Sequence, residues 1–81
     1  MTVTVRFFAL VRERAGAAEL SLRLEPGATV TAAAEAIAQA IPTVRDLLPR
    51  AAFAVNRSYA AGDTILNDGD ELAVIPPVSG G

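Results

Sequence analysis

Apolar and polar side chains alternate along residues 2–9 and 20–24, and residues 71–75 form a further predicted strand, with Leu72 and Val74 on one face and Ala73 and Ile75 on the other. A repeat of two is typical of β-strands that bury one face and expose the other. Val3, Val5 and Phe7 therefore share one face of the first predicted strand, whereas Phe8 belongs to the opposite face. The pattern predicts a sheet in which one face is packed against the rest of the protein.

A helical repeat occupies the middle of the chain. Its apolar positions recur at the spacing of one helix face and are Val30, Ala33, Ala34, Ile37, Ala38 and Ile41. This stripe predicts an amphipathic helix that lies on the sheet. Thr29 is a suitable N-cap for the helix, and Pro42 ends it. A shorter helical segment is predicted over residues 10–15, closed by Gly16.

Short strands and tight turns follow the main helix. Strands are predicted at residues 52–55 and 58–60, and they are separated by a turn at Asn56-Arg57. Turns of the type that need positive φ are predicted at Gly62-Asp63 and at residues 67–70.

The order of these elements predicts the fold class. The second strand is expected to pair antiparallel with the first, because only a short link separates them. We predict an α+β fold, with a mixed sheet of four to five strands and one main helix packed on one face. Residues 1–75 form one domain in this prediction, and residues 76–81 form a flexible carboxyl-terminal tail.

One helix covers only one face of such a sheet, so the other face is predicted to stay open. Phe8 and Ile75 point to this uncovered face, with Tyr59 as their expected neighbour. Apolar side chains gathered there would form a patch that binds a partner protein. The alternative is that they are scattered surface residues of the kind that every protein exposes.

Composition excludes several classes of function. The 81 residues are 52% hydrophobic and 20% charged, which indicates a folded globular chain. The chain has no cysteine and no histidine, and its seven basic residues are all arginine, so it lacks thiol and amine nucleophiles, the usual general base and the commonest metal ligand. It also shows no nucleophile with a paired base and no metal-ligand spacing. We therefore predict no active site, cofactor site or metal site of its own.

Charge and hydropathy limit the partners. A net charge of −2 argues against a nucleic-acid partner. No apolar stretch is long enough to span a bilayer and the start of the chain is not a signal peptide, so we expect no membrane partner and a cytoplasmic location. Asp68, Asp70 and Glu71 form the densest acidic cluster, which we interpret as turn and capping carboxylates rather than a calcium or magnesium site.

The segment Pro76-Pro77-Val78-Ser79-Gly80-Gly81 carries the remaining chemistry. The prolines end the last strand and direct the chain away from the body, and the glycines have no side chain to obstruct a narrow channel. Fully extended, six residues reach roughly 20 Å. The carboxylate of Gly81 is a poor electrophile, so attack on it needs prior activation, most simply as a mixed anhydride with AMP. The alternative is an ordinary frayed terminus.

These residues resemble a known family. The motifs are Phe7-Phe8-Ala9 followed by Val11-Arg12-Glu13, the Val55-Asn56 pair, Asp68-Gly69-Asp70-Glu71, and the segment from Pro76 to Gly81. Together they closely resemble the small subunit of molybdopterin synthase, over the full length of the chain. The resemblance implies a ubiquitin-like β-grasp fold, which agrees with the predicted order of elements.

The resemblance also implies a function. An E1-like adenylyltransferase that uses ATP would adenylate Gly81, and conversion to a thiocarboxylate would follow. The tail, including Gly80, would then enter the large subunit, where the sulfur passes to cyclic pyranopterin monophosphate. Family members form a heterotetramer with two large subunits.

By position in the family, Phe8, Tyr59 and Ile75 would contact the large subunit and the activating enzyme, as would the prolines and Val78 of the tail. Two alternatives remain at the level of the sequence. One is the thiamine-pathway sulfur carrier, and the other is a ubiquitin-like interaction module whose tail is never modified.

Overall fold

A computed structural model describes residues 1–77 of the chain. Five strands form one sheet: β1 (Thr2–Phe7), β2 (Glu19–Arg23), β3 (Ala52–Val55), β4 (Ser58–Tyr59) and β5 (Glu71–Ile75). The α-helices are α1 (Ala9–Ala15) and α2 (Val30–Ala40), and 3-10 turns lie at Pro42–Val44 and Leu48–Arg50. The predicted α+β class with a five-stranded sheet is confirmed.

The strand order in the sheet is β2-β1-β5-β3-β4. The two central strands, β1 and β5, are parallel, and every other neighbouring pair is antiparallel. The antiparallel pairing of the first two strands is therefore confirmed. Because β5 lies next to β1, the last strand of the chain occupies the middle of the sheet, and the chain that follows it leaves from the centre of one sheet end.

The helices and 3-10 turns cover one face of the sheet. Val5 of β1, Leu72 of β5 and Ile37 of α2 are all fully buried in the same core cluster. The burial of β1 alternates strictly along the strand, as the repeat of two predicted. None of the helices in residues 1–77 is long and apolar enough to cross a bilayer.

Local signals in the sequence set the helix ends. The Oγ1 of Thr29 accepts a hydrogen bond from the backbone N–H of Ala32 at 3.2 Å, which is the predicted N-cap of α2. Gly16 follows α1 in the left-handed conformation, with φ of 73°, and its N–H donates to the carbonyl of Arg12. A residue with a Cβ would be strained at that position.

The turn at Gly62 differs from the prediction. Gly69 has the expected positive φ of 85°, but Gly62 lies outside the left-handed region. The reason for glycine at position 62 is space, because a Cβ there would collide with the Oγ1 of Thr31. The two backbones meet at this point, where the N–H of Thr31 donates to the carbonyl of Gly62 at 2.9 Å. The requirement is therefore tertiary, and no local pattern could have revealed it.

Candidate partner-binding face and carboxyl-terminal segment

The face of the sheet opposite α2 carries small side chains in its centre. The strand register places Arg6 beside Ala73, Ala73 beside Ala54, and Ala54 beside Tyr59. Because each of these residues points away from the core, they form one row across four strands. The two alanines in the middle of the row leave a depression between the larger side chains at its ends.

This depression is a cavity of about 520 Å³, which we call the open-face cavity. Its lining comes from the β1 end, the β3–β4 hairpin and β5, and consists of Arg6, Phe8, Ala54, Arg57, Tyr59, Glu71, Ala73 and Ile75. The three apolar residues predicted for the uncovered face, Phe8, Tyr59 and Ile75, therefore meet at one place. The prediction of a shared position is confirmed, and their role in binding stays a prediction.

Phe8 stands where the chain turns from β1 into α1. Its backbone is extended, with φ of −128° and ψ of 151°, and the next residue, Ala9, has a positive φ of 50°. This reversal ends β1 at Phe7 and makes the first strand shorter than the predicted 2–9. The carbonyl of Phe8 accepts hydrogen bonds from the N–H groups of Val11 and Arg12, at 3.1 and 3.3 Å. The backbone of Phe8 is thus fixed while 42% of the residue stays exposed.

Tyr59 lies on the short edge strand β4. A two-residue turn at Asn56 and Arg57 joins β3 to β4, and both residues have positive φ, of 49° and 72°. This combination is typical of a type I′ hairpin, whose twist matches that of the strands. Arg57 has a Cβ, so the left-handed conformation is strained at that position. The hairpin directs Tyr59 onto the rim of the open-face cavity, where the residue is 79% exposed.

Charged groups flank the apolar rim. Arg6 and Glu71 form an ion pair at 3.6 Å, and Arg57 also lines the cavity. The ion pair is partly exposed, so its contribution to stability is small. Two arginines and one glutamate give this rim an excess of positive charge although the chain is negative overall. The rim can therefore donate hydrogen bonds to carboxylates or carbonyl groups of a partner.

The acidic cluster holds the turn between β5 and its neighbours. Asp70 accepts hydrogen bonds from the backbone N–H of Asn67 at 2.8 Å and from the Nδ2 of Asn56 at 2.9 Å. Asp68 accepts from the N–H of Thr2 at 2.8 Å. Asn56 in turn accepts from the N–H of Glu71 at 3.0 Å. The interpretation as turn and capping groups is confirmed for Asp68 and Asp70, whereas the carboxylate of Glu71 forms an ion pair with Arg6. Among residues 1–77 there is no group of three or more His, Cys, Asp or Glu residues that could hold a metal ion.

These hydrogen bonds also support the open-face cavity. Asn56 belongs to the hairpin turn that carries Tyr59, and Asp70 immediately precedes β5, which ends in Ile75. The contact between Asn56 and Asp70 therefore fixes one wall of the cavity relative to another. Asn56 of the Val55-Asn56 motif and Asp70 of the Asp68-Gly69-Asp70-Glu71 motif have this structural role.

The strand β5 leads directly to the carboxyl-terminal segment. Ile75, half-buried, is the last residue of β5 and pairs with Ala52 of β3. Pro76 is also half-buried, Pro77 is exposed, and neither belongs to a helix or strand, as the prediction that the prolines end the strand requires. Val78, Ser79, Gly80 and Gly81 lie outside the described residues, so the roles predicted for the tail stay predictions.

A second hollow, of about 530 Å³, lies beyond β4 on the side of α2. It is lined by residues of α2, of the segment 45–51, and of β3 and β4, and only Tyr59 is shared with the open-face cavity. No residue of β1 or β5 lines it, so it is not continuous with the start of the carboxyl-terminal segment. We therefore place the candidate partner site at the open-face cavity.

Sequence reasoning missed several members of this site. It did not identify the alanines in its floor, Ala54 and Ala73, or the charged rim residues Arg6, Arg57 and Glu71. The alternation of each strand does assign Arg6 and Ala73 to the face of Phe8 and Ile75. The missing information was the register, because only strand pairing brings residues so distant in sequence into one row.

Comparison with known proteins gives the family. The model of the ThiS family matches residues 5–81. The molybdopterin synthase sulfur carrier subunit of Chlamydomonas reinhardtii is 37% identical over 83 residues, which cover 100% of both chains. The subunit of the same name from Arabidopsis thaliana is 32% identical, over 98% of this chain and 82% of its own.

Solved structures agree with this assignment. The crystal structure of SAMP1 from Haloferax volcanii has a TM-score of 0.92 at 29% identity, with 100% of both chains covered. A complex of subunits 1 and 2 of molybdopterin-converting factor from Helicobacter pylori contains a chain with a TM-score of 0.71 at 28% identity, again with 100% of both chains covered. The chain therefore belongs to the ThiS family, has the ubiquitin-like β-grasp fold, and is a relative of the sulfur carrier subunits of molybdopterin synthase.

Proposed function

We propose that this chain is the sulfur carrier subunit of a molybdopterin synthase, with the carboxyl group of Gly81 as the site that carries the sulfur. The observation that carries the proposal is the match to the Chlamydomonas reinhardtii subunit over the whole of both chains. The family match also runs through Gly81, so it includes the carboxyl-terminal segment. The chain then acts as one component of a sulfurtransferase and not as an enzyme alone.

The proposed chemistry has two steps at Gly81. A carboxylate oxygen attacks the α-phosphorus of ATP on an activating enzyme, and pyrophosphate leaves. Sulfide, HS−, then attacks the carbonyl carbon and forms the new C–S bond, and AMP leaves with the former carboxylate oxygen, which yields the thiocarboxylate with no change of oxidation state. Activation is necessary because the carboxylate is ionised at neutral pH and resists nucleophilic attack.

The absence of cysteine, histidine and lysine supports a division of labour. The chain therefore has no thiol or amine nucleophile and no imidazole base among its side chains. The E1-like adenylyltransferase would supply the ATP site, and the large subunit would supply the site in which cyclic pyranopterin monophosphate receives the sulfur. Gly80 and Gly81 would contribute the absence of a side chain, which lets the carbonyl carbon enter a narrow active site.

The open-face cavity is the proposed docking site for both partners. Phe8 and Tyr59 are exposed on its rim, and Ile75 ends the strand from which the tail leaves. A partner that covers the cavity would therefore also hold Pro76 and Pro77, and Val78 after them, at the mouth of its own active site. Since one face serves both partners, the activating enzyme must leave before the large subunit binds.

We further propose a heterotetramer of two small and two large subunits. The complex of subunits 1 and 2 from Helicobacter pylori supports an association between the two kinds of subunit. The stoichiometry follows from the resemblance to the molybdopterin synthase family.

Intact-mass spectrometry tests the proposal. The full chain is incubated with ATP, the activating enzyme and a sulfide source, and we expect a gain of about 16 Da, by which sulfur exceeds oxygen, located at Gly81 by fragmentation. A variant that lacks Gly81 is the control and is expected to gain no sulfur while its Tm stays unchanged. No gain of mass by the full chain with an enzyme that is active on another carrier would overturn the proposal.

A second step of the same experiment separates the pathways. The purified thiocarboxylate is mixed with the large subunit and cyclic pyranopterin monophosphate, and the proposal expects sulfur transfer. Activity in thiazole synthesis together with inertness towards the pyranopterin would assign the chain to the thiamine pathway instead.

Protein modification is a second candidate function. The TM-score of 0.92 to SAMP1 favours it, because that protein is named small archaeal modifier protein 1. A modifier would form a covalent bond between Gly81 and an amine of another protein. Tagged chain added to a cell extract with ATP would then give high-mass conjugates that survive thiol reduction, and their absence would remove this candidate.

A further inference from the structure

The edge strand β2 lies on the opposite side of the sheet from the β3–β4 hairpin. Within residues 1–77, β2 pairs with β1 and with no other strand. None of its residues lines the open-face cavity. An uncovered sheet edge presents N–H and C=O groups that can pair with another chain.

The hydrogen bonds at the two ends of the β1–β2 ladder identify the outward groups. Met1 and Leu24 bond each other reciprocally at 2.9 Å, and Phe7 donates to the carbonyl of Ala18 at 2.9 Å. In an antiparallel pair, bonded and non-bonded residues alternate. Leu20 and Leu22 therefore direct their backbone groups towards β1. The remaining residues of the strand, Glu19, Ser21 and Arg23, direct theirs away from the sheet.

The sequence of this edge is complementary to itself. If two copies of β2 run antiparallel about an axis at Ser21, Ser21 faces Ser21 of the second copy and Glu19 faces Arg23 of the second copy. Each of the three outward residues then meets an outward residue, so all their backbone groups are paired. A shift by one residue would place outward groups opposite groups already used by β1. Among the registers that remain, the axis at Ser21 is the one that places Glu19 opposite Arg23.

The side chains agree with the same register. Glu19 and Arg23 both lie on the open face, next to Arg6 and Thr2 of β1. Within the described part of the chain, neither Glu19 nor Arg23 takes part in an ion pair. Arg6, the neighbour of Glu19, pairs with Glu71 instead. With the axis at Ser21, Glu19 of each copy faces Arg23 of the other, which gives two opposite-charge pairs, one on each side of the axis. On the other face, Leu20 meets Leu22 of the second copy in the closer, non-hydrogen-bonded type of pair.

We propose that two copies of this chain associate through antiparallel pairing of their β2 edges, centred on Ser21 and selected by ion pairs between Glu19 and Arg23. The two sheets become one continuous sheet. Such an interface is isologous and closes on itself, so assembly stops at the dimer. The open-face cavity and the carboxyl-terminal segment lie beyond β1 in both copies, so the dimer does not depend on the proposed function.

Affinity should be modest because the paired edge is short. The paired edge is smaller than a standard interface, so we expect a weak association, with a Kd on the order of 100 μM and a range to be measured of about 10 to 500 μM. Sedimentation equilibrium of the full chain over that range is expected to show a monomer–dimer equilibrium. A monomer at every concentration would overturn the proposal and leave the edge for a strand of another protein.

Charge exchange tests the register. Glu19→Arg and Arg23→Glu each place like charges opposite one another and are expected to weaken dimerisation at least 10-fold. The double variant restores opposite charges and is expected to return within 3-fold of the original Kd. Glu13→Arg makes the same charge change on the exposed side of α1 and serves as the control. Failure of the double variant to restore the dimer, or equal weakening by the control, would overturn the pairing.

Hydrogen exchange of the unaltered chain gives a test that needs no variant. The backbone amides of Glu19, Ser21 and Arg23 are expected to gain protection as concentration rises through the Kd. The amides of Leu20 and Leu22 already donate to β1 and should change far less. A dimer whose formation leaves the three outward amides unprotected would contradict the proposal.

Discussion

Replacement of Tyr59 by alanine separates binding from stability more sharply than any other change at the open-face cavity. Tyr59 is 79% exposed, and its strand β4 is an edge strand of two residues. The side chain therefore contributes little to the folded core. If it is a contact for a partner, nearly all its apolar surface becomes covered only when the complex forms.

The magnitudes follow from the exposed fraction. A tyrosine side chain has about 200 Å² to bury, so roughly 40 Å² of Tyr59 is covered in the free chain, which corresponds to about 1 kcal/mol of folding free energy. The other 160 Å² or so corresponds to at most about 4 kcal/mol on binding. Ordering and desolvation costs reduce that gain, and we expect Tyr59→Ala to lose about 2 to 3 kcal/mol, or roughly 30- to 150-fold in Kd.

Isothermal titration calorimetry with the purified large subunit measures this loss, and urea unfolding of the free chain measures stability. Ile65→Ala is the matched control, because Ile65 is 60% exposed, is apolar, and does not line the open-face cavity. The control should change Kd less than 2-fold. The reasoning is refuted if Tyr59→Ala weakens binding less than 3-fold, or if both variants weaken it equally.

Three further changes test the fold that supports the site, each by urea unfolding. Leu72→Ala should cost about 2 to 5 kcal/mol, because Leu72 is fully buried in a central strand; a loss below 1 kcal/mol would contradict that core. Thr29→Ala should lower the free energy of unfolding by about 1 kcal/mol through loss of the N-cap bond to Ala32. Thr29→Ser keeps a hydroxyl at this position and should retain most of the stability of the original chain. Asp70→Ala should cost about 1 to 2 kcal/mol, because Asp70 accepts hydrogen bonds from Asn56 and from the backbone N–H of Asn67. An unchanged urea midpoint would show that these bonds do not stabilise the turn.

Local patterns were sufficient for most of the fold. The repeat of two assigned the inward residues of β1 and β5, and the cap at Thr29 and the glycine at position 16 set the helix ends. The strand β3 was predicted at its observed bounds. These features depend on residues within a few positions of one another, where steric and hydrogen-bonding preferences act directly on the sequence.

Features that depend on tertiary contact were not predicted. The parallel pairing of β1 with β5 joins opposite ends of the chain, and the close approach that favours glycine at position 62 involves Thr31 of α2. The open-face cavity was predicted only in part. The sequence predicted that Phe8, Tyr59 and Ile75 share a face, while its alanine floor and arginine rim became visible only with the register.

Loss of the added sulfur in a single turnover tests the central claim most directly. Chain that carries the thiocarboxylate is mixed with the large subunit and an excess of cyclic pyranopterin monophosphate, and both the intact mass of the chain and the pterin product are followed with time. We predict that the chain returns to its original mass, with a loss of about 16 Da, at the rate at which sulfur appears in the pterin. A pterin that gains sulfur while the mass of this chain stays constant would contradict the account.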